Sequence, residues 1–191
     1  MIACVDVQYD DGTATRGAAT ARAAVVAFQT WDASVALVTR VVTVRDIQPY
    51  TPGSFYLREL PCIRAALATL DALPDVVIVD GHAWVGVGVP GLGARLLEAE
   101  PGLRTVVGVA KTRFRNAPVT PVLRGASTKP LHVDEAGVRI DAPVRVASMH
   151  GPFRIPTLLR LVDQLCRARG DEPSSSALDH LPPPISSRSS G

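Results

Sequence analysis

The residues best suited to chemistry stand at the ends of apolar, β-branched runs. Asp80 ends a run that begins at Val76, and Lys111 directly follows a second run, Val106–Ala110. The apolar residues of 92–99, between the two runs, have a helical period, so the stretch predicts one βαβ unit. Open α/β sheets place their chemistry at the carboxyl ends of such strands, so we expect an anionic and a cationic group side by side there.

A third charged residue, Asp6, lies in the first predicted strand, residues 1–7. A turn at 9–12 of the Asp-Gly type favours a hairpin. Further strands are expected at 23–28 and 35–44, which together make an antiparallel three-strand meander. Joined to the βαβ unit, the meander gives a mixed sheet flanked by helices. We expect its first strand beside the strand that ends at Asp80, which brings the two carboxylates together.

A proline-rich loop then leads into a helix. In the segment 49–61, Ser54 is suited to cap the helix, and Phe55 and Glu59 stand four residues apart on one face. Pro61 should restart or kink the helix. One rigid turn would thus present an aromatic tip and a carboxylate together.

A plainer interpretation of the same segment stays open. Glu59 would then be a surface residue paired with Arg58 or Arg64, and Tyr50 would be an ordinary loop aromatic.

Length and composition predict one globular domain. The chain has 191 residues, 47% of them hydrophobic, which is enough for one sizeable core. We expect a single domain at 1–169 and a disordered low-complexity tail at 170–191, which is rich in Ser and Pro. Three cysteines at unrelated spacings predict buried thiols in a reducing cytoplasm. No apolar run reaches the roughly 18 residues of a membrane span. We also expect the protein to be a monomer.

Positive charge is concentrated in one segment although the formal net charge is only +2. From residue 101 to 133 there is no Asp or Glu. Such a segment favours polyanion binding, and a solvated basic face is the alternative. Its cations are Arg104, Lys111, Arg113, Arg115, Arg124 and Lys129.

Several short motifs, taken in order, resemble the endonuclease V family over about four-fifths of the chain. They are Val5-Asp-Val7, Pro49-Tyr-Thr-Pro-Gly53, Leu57-Arg-Glu-Leu-Pro61, Val79-Asp-Gly-His82, Gly108-Val-Ala-Lys111, and Arg154-Ile-Pro156 with Arg160 and Asp163. The resemblance implies a ribonuclease H-like fold and a Mg²⁺-dependent endonuclease that nicks nucleic acid 3′ to deoxyinosine, or to inosine in RNA. It places the chain in the repair of deaminated bases.

The resemblance also assigns roles to residues. It makes Asp6, Glu59 and Asp80 the metal-binding carboxylates, and it places Lys111 at the phosphate next to the scissile bond. Mg²⁺, for which Mn²⁺ can substitute, takes oxygen ligands of this kind and supports phosphodiester hydrolysis. Tyr50 would be the wedge that fills the gap left by the displaced base.

A pocket for the displaced base is expected around the wedge. A base that is to be read must leave the stack, and aromatic or apolar wedges reduce that cost. The residues expected to form the tip and line the pocket are Pro52, Gly53, Phe55, Gly81, Leu92 and Phe114.

The chain departs from the family pattern at two places. After Asp80, the family has a second Gly and a His-Pro pair where this chain has Ala83 and Gly86-Val87. A later segment, normally Val-Ser-x-Gly-His at the start of an acid-bearing helix, is shortened near His150. Asp141 or Asp163 are the candidates to replace that acid, and a site without a fourth carboxylate stays open.

Two other functions remain to be weighed. The departures leave open a binding module of the same fold that recognises inosine-containing nucleic acid without cutting it. The run 86–91 fits Gly-x-Gly-x-x-Gly, but no acidic residue follows about 20 positions on, so a nucleotide-binding enzyme is the weaker alternative.

Overall fold

A mixed sheet of seven strands forms the centre of the computed structural model, which describes residues 1–10, 20–45, 47–48, 53 and 55–168. In chain order the elements are β1 (Ile2–Asp10), β2 (Thr20–Phe28), β3 (Val38–Val44), α1 (Phe55–Leu67), β4 (Val76–Asp80), β5 (Trp84–Gly86), β6 (Val89–Pro90), α2 (Leu92–Ala99), β7 (Thr105–Ala110), β8 (Thr120–Val122), β9 (Leu131–Gly137), α3 (Ala142–Ser148) and α4 (Thr157–Arg167).

The strand order is β3-β2-β1-β4-β7-β9-β8. Strands β1 to β3 pair antiparallel, and β4 pairs parallel to β1 on one side and to β7 on the other. This confirms both the meander and the βαβ unit, whose helix α2 has the bounds 92–99 that the sequence predicts. Because Val5 pairs with Val79, Asp6 and Asp80 occupy the next position on neighbouring strands.

Helices cover both faces of the sheet. Side chains of successive strand residues point to opposite faces, so Ile2 and Cys4 pack with α4 while Ala3 and Val5 pack with α1. Helix α3 lies on the α4 face, and α2 lies on the α1 face. Asp6 has the parity of Cys4 and therefore belongs to the α4 face. No helix in the described ranges is long and apolar enough to cross a membrane.

Several predicted boundaries are wrong. Strand β1 continues to Asp10, which pairs with Thr20, so the strand runs through the first half of the predicted turn. Residues 11 and 12 of that turn lie outside the described residues. Strand β3 begins at Val38 and not at 35, because Val35 and Leu37 lie exposed in the preceding turn.

Helix α1 is continuous through Pro61, so the predicted restart does not occur. Proline costs a helix one amide hydrogen bond, and this helix is held instead by its buried face, which includes Cys62, Ile63 and Ala66. The Gly-rich run 86–91 contributes to a β5–β6 hairpin and leads directly into α2. A dinucleotide site needs the run to follow a strand of the parallel sheet directly, whereas β4 ends six residues before it.

Backbone packs directly on backbone beside Asp80. The loop 81–83 crosses β7 at Gly108, where a Cβ atom would lie 2.5 Å from the Ala83 nitrogen and 2.8 Å from the Gly81 carbonyl oxygen. It would also lie 2.2 Å from Oδ1 of Asp134. Only glycine permits this approach, which explains the residue type at this position of the motif Gly108–Lys111.

We expect Gly108→Ala to destabilise the protein by at least about 1–3 kcal/mol, since the added methyl meets backbone atoms that cannot move aside. Urea unfolding measures the loss. Gly102→Ala is the matched control, because the Cβ there meets only the mobile end of Leu73. Equal stability of the two variants would contradict the close loop packing.

Candidate functional site

A cavity of about 230 Å³ opens between the sheet and α4. Its polar lining comprises Asp6, Asp80, Lys111, Arg160 and Asp163, and the rest of its lining is aliphatic. The parallel pairing of β1 with β4 positions the two strand carboxylates, and the α4 residues Leu158 and Val162 in the core fix the helix that carries Asp163. The predicted meeting of carboxylates at one sheet edge is therefore present.

Hydrogen bonds orient two of these carboxylates. The Val7 amide donates to Oδ1 of Asp6 at 2.8 Å, and Nζ of Lys111 donates to Oδ2 of Asp80 at 2.7 Å. Burial alone would lower the pKa of Lys111, but the hydrogen bond and the charge of Asp80 raise it overall. The lysine remains a cation beside the carboxylates.

Negative charge accumulates around Asp6. Burial, followed by repulsion from Asp80 and Asp163, raises the pKa of Asp6 to about 6. Lys111 offsets only part of this effect. A site in which carboxylates repel one another is one that a cation stabilises.

Glu59 approaches from the opposite face of the sheet, since it lies on α1, and it does not line the cavity. Its side chain is buried, with 8% of the residue exposed. Burial, followed by repulsion from Asp6 and Asp80, raises the pKa of Glu59 to about 8, so the three carboxylates lie within electrostatic range. The alternative of a surface Glu59 is wrong. Arg64 pairs instead with Glu100.

Metal binding remains a prediction for this edge. Within the described part of the chain, no group of three or more His, Cys, Asp or Glu side chains is arranged so that it could hold a metal ion. Asp6, Asp80 and Asp163 nevertheless supply hard oxygen donors around one cavity, the type that Mg²⁺ takes. Asp141 is not among them, because it precedes α3 and does not line this cavity. Of the two candidates for the replaced acid, Asp163 joins the cluster.

Several residues expected to bind the base lie beside this edge. Gly81 follows Asp80, and a Cβ on it would be 3.7 Å from Leu92. Phe114 is exposed on the loop after β7. Gly53 has a φ of +77°, and Phe55 stacks edge-on against Tyr9.

Tyr50 and Pro52 lie outside the described residues, so the wedge stays a prediction.

His82 joins the two loops that flank this region. Its Nε2 lies 3.1 Å from the Thr112 carbonyl oxygen and 3.1 Å from the Phe114 amide nitrogen. The ring therefore ties the loop after β4 to the loop after β7. Nothing in the sequence pattern predicts this contact, because it depends on how the two loops fold back.

Asp134 is a buried acid that sequence analysis missed. Its Oδ1 accepts a hydrogen bond from the Ala83 amide at 2.9 Å, and its Oδ2 accepts one from the Trp84 amide at 2.8 Å. Burial outweighs these bonds and raises its pKa. The sequence gives no clear signal of this acid, because Asp134 falls at a polar position in the alternation of β9, where the acid-free segment ends.

The basic segment is only partly available for polyanion binding. Arg113, Arg115 and Lys129 are exposed. Arg124 is 6% exposed, so its predicted role in phosphate binding is wrong. Its guanidinium instead donates to main-chain carbonyls of the segment before α4, those of Ala147, Met149, Gly151, Phe153 and Arg154.

Comparison with known proteins gives consistent matches. A sequence model of the family Endonuclease V matches residues 1–152. An Endonuclease V of Xanthomonas oryzae pv. oryzae is 31% identical over 208 aligned positions, covering 93% of this chain and 81% of that protein.

Solved structures show the same fold. An Endonuclease V of Bacillus subtilis superposes with a TM-score of 0.69 at 20% identity, over 86% of this chain and 78% of that one. An Endonuclease V of Ciona intestinalis, in complex with a 23mer DNA containing an inosine, gives a TM-score of 0.65 at 16% identity, over 87% and 83%. The predicted ribonuclease H-like fold is confirmed.

The raised carboxyl pKa values predict that the metal-free protein loses stability as pH rises. Between about pH 4.5 and 8 the folded state holds protons on Glu59 and Asp6 that the unfolded chain releases, so unfolding becomes more favourable. In EDTA we expect the melting temperature to fall by at least about 3 °C from pH 5 to pH 8, the shift that about 1 kcal/mol gives at this size.

Glu59→Gln should reduce the dependence of the melting temperature on pH. Glu98→Gln, which changes an exposed carboxylate of α2, should leave that dependence unchanged. A melting temperature that is independent of pH, or one whose slope survives in Glu59→Gln, would contradict the crowding of carboxylates.

Proposed function

Because this chain belongs to the endonuclease V family, we propose that it is a Mg²⁺-dependent endonuclease that nicks nucleic acid on the 3′ side of deoxyinosine or inosine. The observation that carries the proposal is the group of Asp6, Asp80 and Asp163 around one cavity, beside the loop of Gly81. Its relatives are named endonucleases, so the chain is a nuclease by family.

Asp6 and Asp80 would hold the metal, and Asp163 would be the third carboxylate. Glu59 would contribute electrostatically from the other face of the sheet. What bound Mg²⁺ supplies is activation of the attacking water and stabilisation of charge on the scissile phosphate and leaving oxygen. The chain's own task is to hold these carboxylates deprotonated and correctly spaced. Since burial and then repulsion raise the pKa of Asp6 and of Glu59, a bound cation would favour their deprotonated forms.

Lys111 is the residue that we propose for the phosphate. Its Nζ lies 2.7 Å from Asp80, so it would reach a phosphate oxygen bound beside that carboxylate. The amine donates hydrogen bonds to the phosphate and supplies positive charge. Exposed Arg113 and Arg115 follow on the same loop and would extend contact along the backbone of the strand.

We propose that the displaced base stacks near Phe114 and meets the backbone of Gly81, with Leu92 behind it and Gly53 at the tip. Flipping a base costs a few kcal/mol. Stacking of Tyr50 in the vacated place would return about 1–3 kcal/mol of it. Because the expected contacts with the base are largely main-chain, they suit hypoxanthine in DNA or in RNA.

A binding module that reads inosine without cutting is the second candidate. The observation in its favour is that Gly86 and Val87 replace the family's His-Pro pair, so no titratable side chain occupies these positions. Val87 is 91% exposed at the tip of the β5–β6 hairpin. The free, buried thiols of Cys4, Cys62 and Cys166 support a reducing, cytoplasmic setting for either function, and we propose that the protein acts as a monomer.

Cleavage of a labelled oligonucleotide with one inosine tests the proposal. We expect a nick at the second phosphodiester 3′ to inosine with Mg²⁺ or Mn²⁺, and none with EDTA. Asp80→Asn should reduce the rate at least about 100-fold, since loss of a metal ligand removes several kcal/mol of transition-state stabilisation. Asp75→Asn, at the other end of the β4 region and paired with the N-terminus, is the matched control and should cut normally.

Selective binding of the inosine strand without any cut over hours would favour the binding module. Neither selective binding nor cutting would contradict both functions.

A further inference from the structure

The main-chain amides of the loop that follows Asp80 are bound by a side chain of β9, a strand about 50 residues further along the chain. Asp134, on β9, accepts hydrogen bonds from the Ala83 and Trp84 amides, one on each carboxylate oxygen, at 2.9 and 2.8 Å. Trp84 is fixed a second time, since its indole Nε1 donates to the Glu135 main-chain carbonyl at 3.0 Å. The loop is therefore attached to β9 at three points.

The loop has no freedom to compensate if this attachment is lost. It presses against β7 at Gly108, where a Cβ on the glycine would lie 2.2 Å from Asp134 Oδ1 and 2.5 Å from the Ala83 nitrogen. Sheet, carboxylate and loop thus form one close-packed unit. Gly81, whose backbone we place against the base, lies two residues before the first amide that Asp134 binds.

A carboxylate is energetically unfavourable at a buried position such as this one. Asp134 is only 6% exposed, and burying a charged group is unfavourable unless it is well hydrogen-bonded. An ionised carboxylate accepts at both oxygens and donates at neither, so it satisfies two neighbouring amides at once. An aliphatic residue accepts no hydrogen bond, and a hydroxyl offers one oxygen where a carboxylate offers two. A carboxylate at this position is therefore explained by its hydrogen bonds to the loop and not by packing of the core.

We propose that Asp134 is a positioning residue for inosine selectivity, acting through the Ala83 and Trp84 amides to hold the Gly81–Trp84 loop where the displaced base is read. This inference rests on the proposed function and deepens it. Asp134 contacts neither the metal-site carboxylates nor Lys111 through any hydrogen bond described for it.

Loss of Asp134 should weaken recognition of the base and leave the carboxylates of the proposed metal site in place. Asp80 is held independently, by the pairing of β4 with β1 and β7 and by Lys111. The basic loop after β7, which we propose for phosphate contact, meets this loop through His82, and none of the bonds of Asp134 involves it. Loss of Asp134 should therefore weaken binding to an inosine-containing strand much more than binding to an otherwise identical strand without inosine.

The adjacent residue provides a matched control. Glu135 also accepts two main-chain amides through its carboxylate, those of Ile140 at 3.0 Å and Ala142 at 3.3 Å. Those bonds fix the start of α3, and the Trp84 indole bonds the Glu135 main chain, which a substitution retains. Glu135→Ala thus removes the same kind of interaction from the same strand without freeing the Gly81–Trp84 loop.

The test is fluorescence anisotropy of the full chain in EDTA with two labelled single strands that differ only by inosine or adenine at one position. For the wild type we expect tighter binding of the inosine strand. Asp134→Ala should lose at least about tenfold in affinity for the inosine strand and less than about twofold for the adenine strand. Glu135→Ala should change neither by more than about twofold.

Asp134→Asn keeps one acceptor and places an amide nitrogen against the other main-chain donor, so it should lose an intermediate amount, and it carries the test if Asp134→Ala does not fold. Equal losses on both strands, or losses as large in Glu135→Ala, would make Asp134 merely structural and overturn the inference. A wild type that does not prefer inosine would instead overturn the proposed function, and the inference with it.

Discussion

The parallel pairing of β1 with β4 is the constraint on which the rest of the site depends. It places Asp6 and Asp80 at the same level of adjacent strands, with Val5 and Val79 buried directly beneath them. Strands in a ladder lie about 4.8 Å apart, so the two carboxylates stay close together as long as the buried core keeps the strands paired. The repulsion between them has to be offset from outside the two strands.

The surrounding structure supplies only part of that offset. Lys111 pairs with Asp80 and Arg167 pairs with Asp163, yet both carboxylates still repel Asp6. Asp6 and Asp80 in turn repel Glu59 on the other face of the sheet. This crowding of carboxylates is the basis of our proposal that a divalent cation binds at this edge. Burial, together with this repulsion, raises the pKa values of Asp6 and Glu59, so both groups hold protons to higher pH in the folded protein.

Much of the site follows from sequence because it depends on local patterns. An apolar run that ends in Asp80 and an apolar helical period at 92–99 are enough to predict the βαβ unit, and the family motifs then indicate Glu59. Asp134 and His82 could not be found in this way, since their contacts join segments that are about 30 to 50 residues apart. Arg124 was misassigned for the same reason, because charge alone does not reveal that buried carbonyls surround it.

The most direct test of the account is a crystal structure of the protein grown or soaked with Mn²⁺, with anomalous data to locate the ion. The account predicts a peak within about 2.5 Å of carboxylate oxygens from both Asp6 and Asp80, on the side that faces Asp163. No anomalous peak at this edge with saturating Mn²⁺, or a peak only on another surface of the molecule, would contradict it.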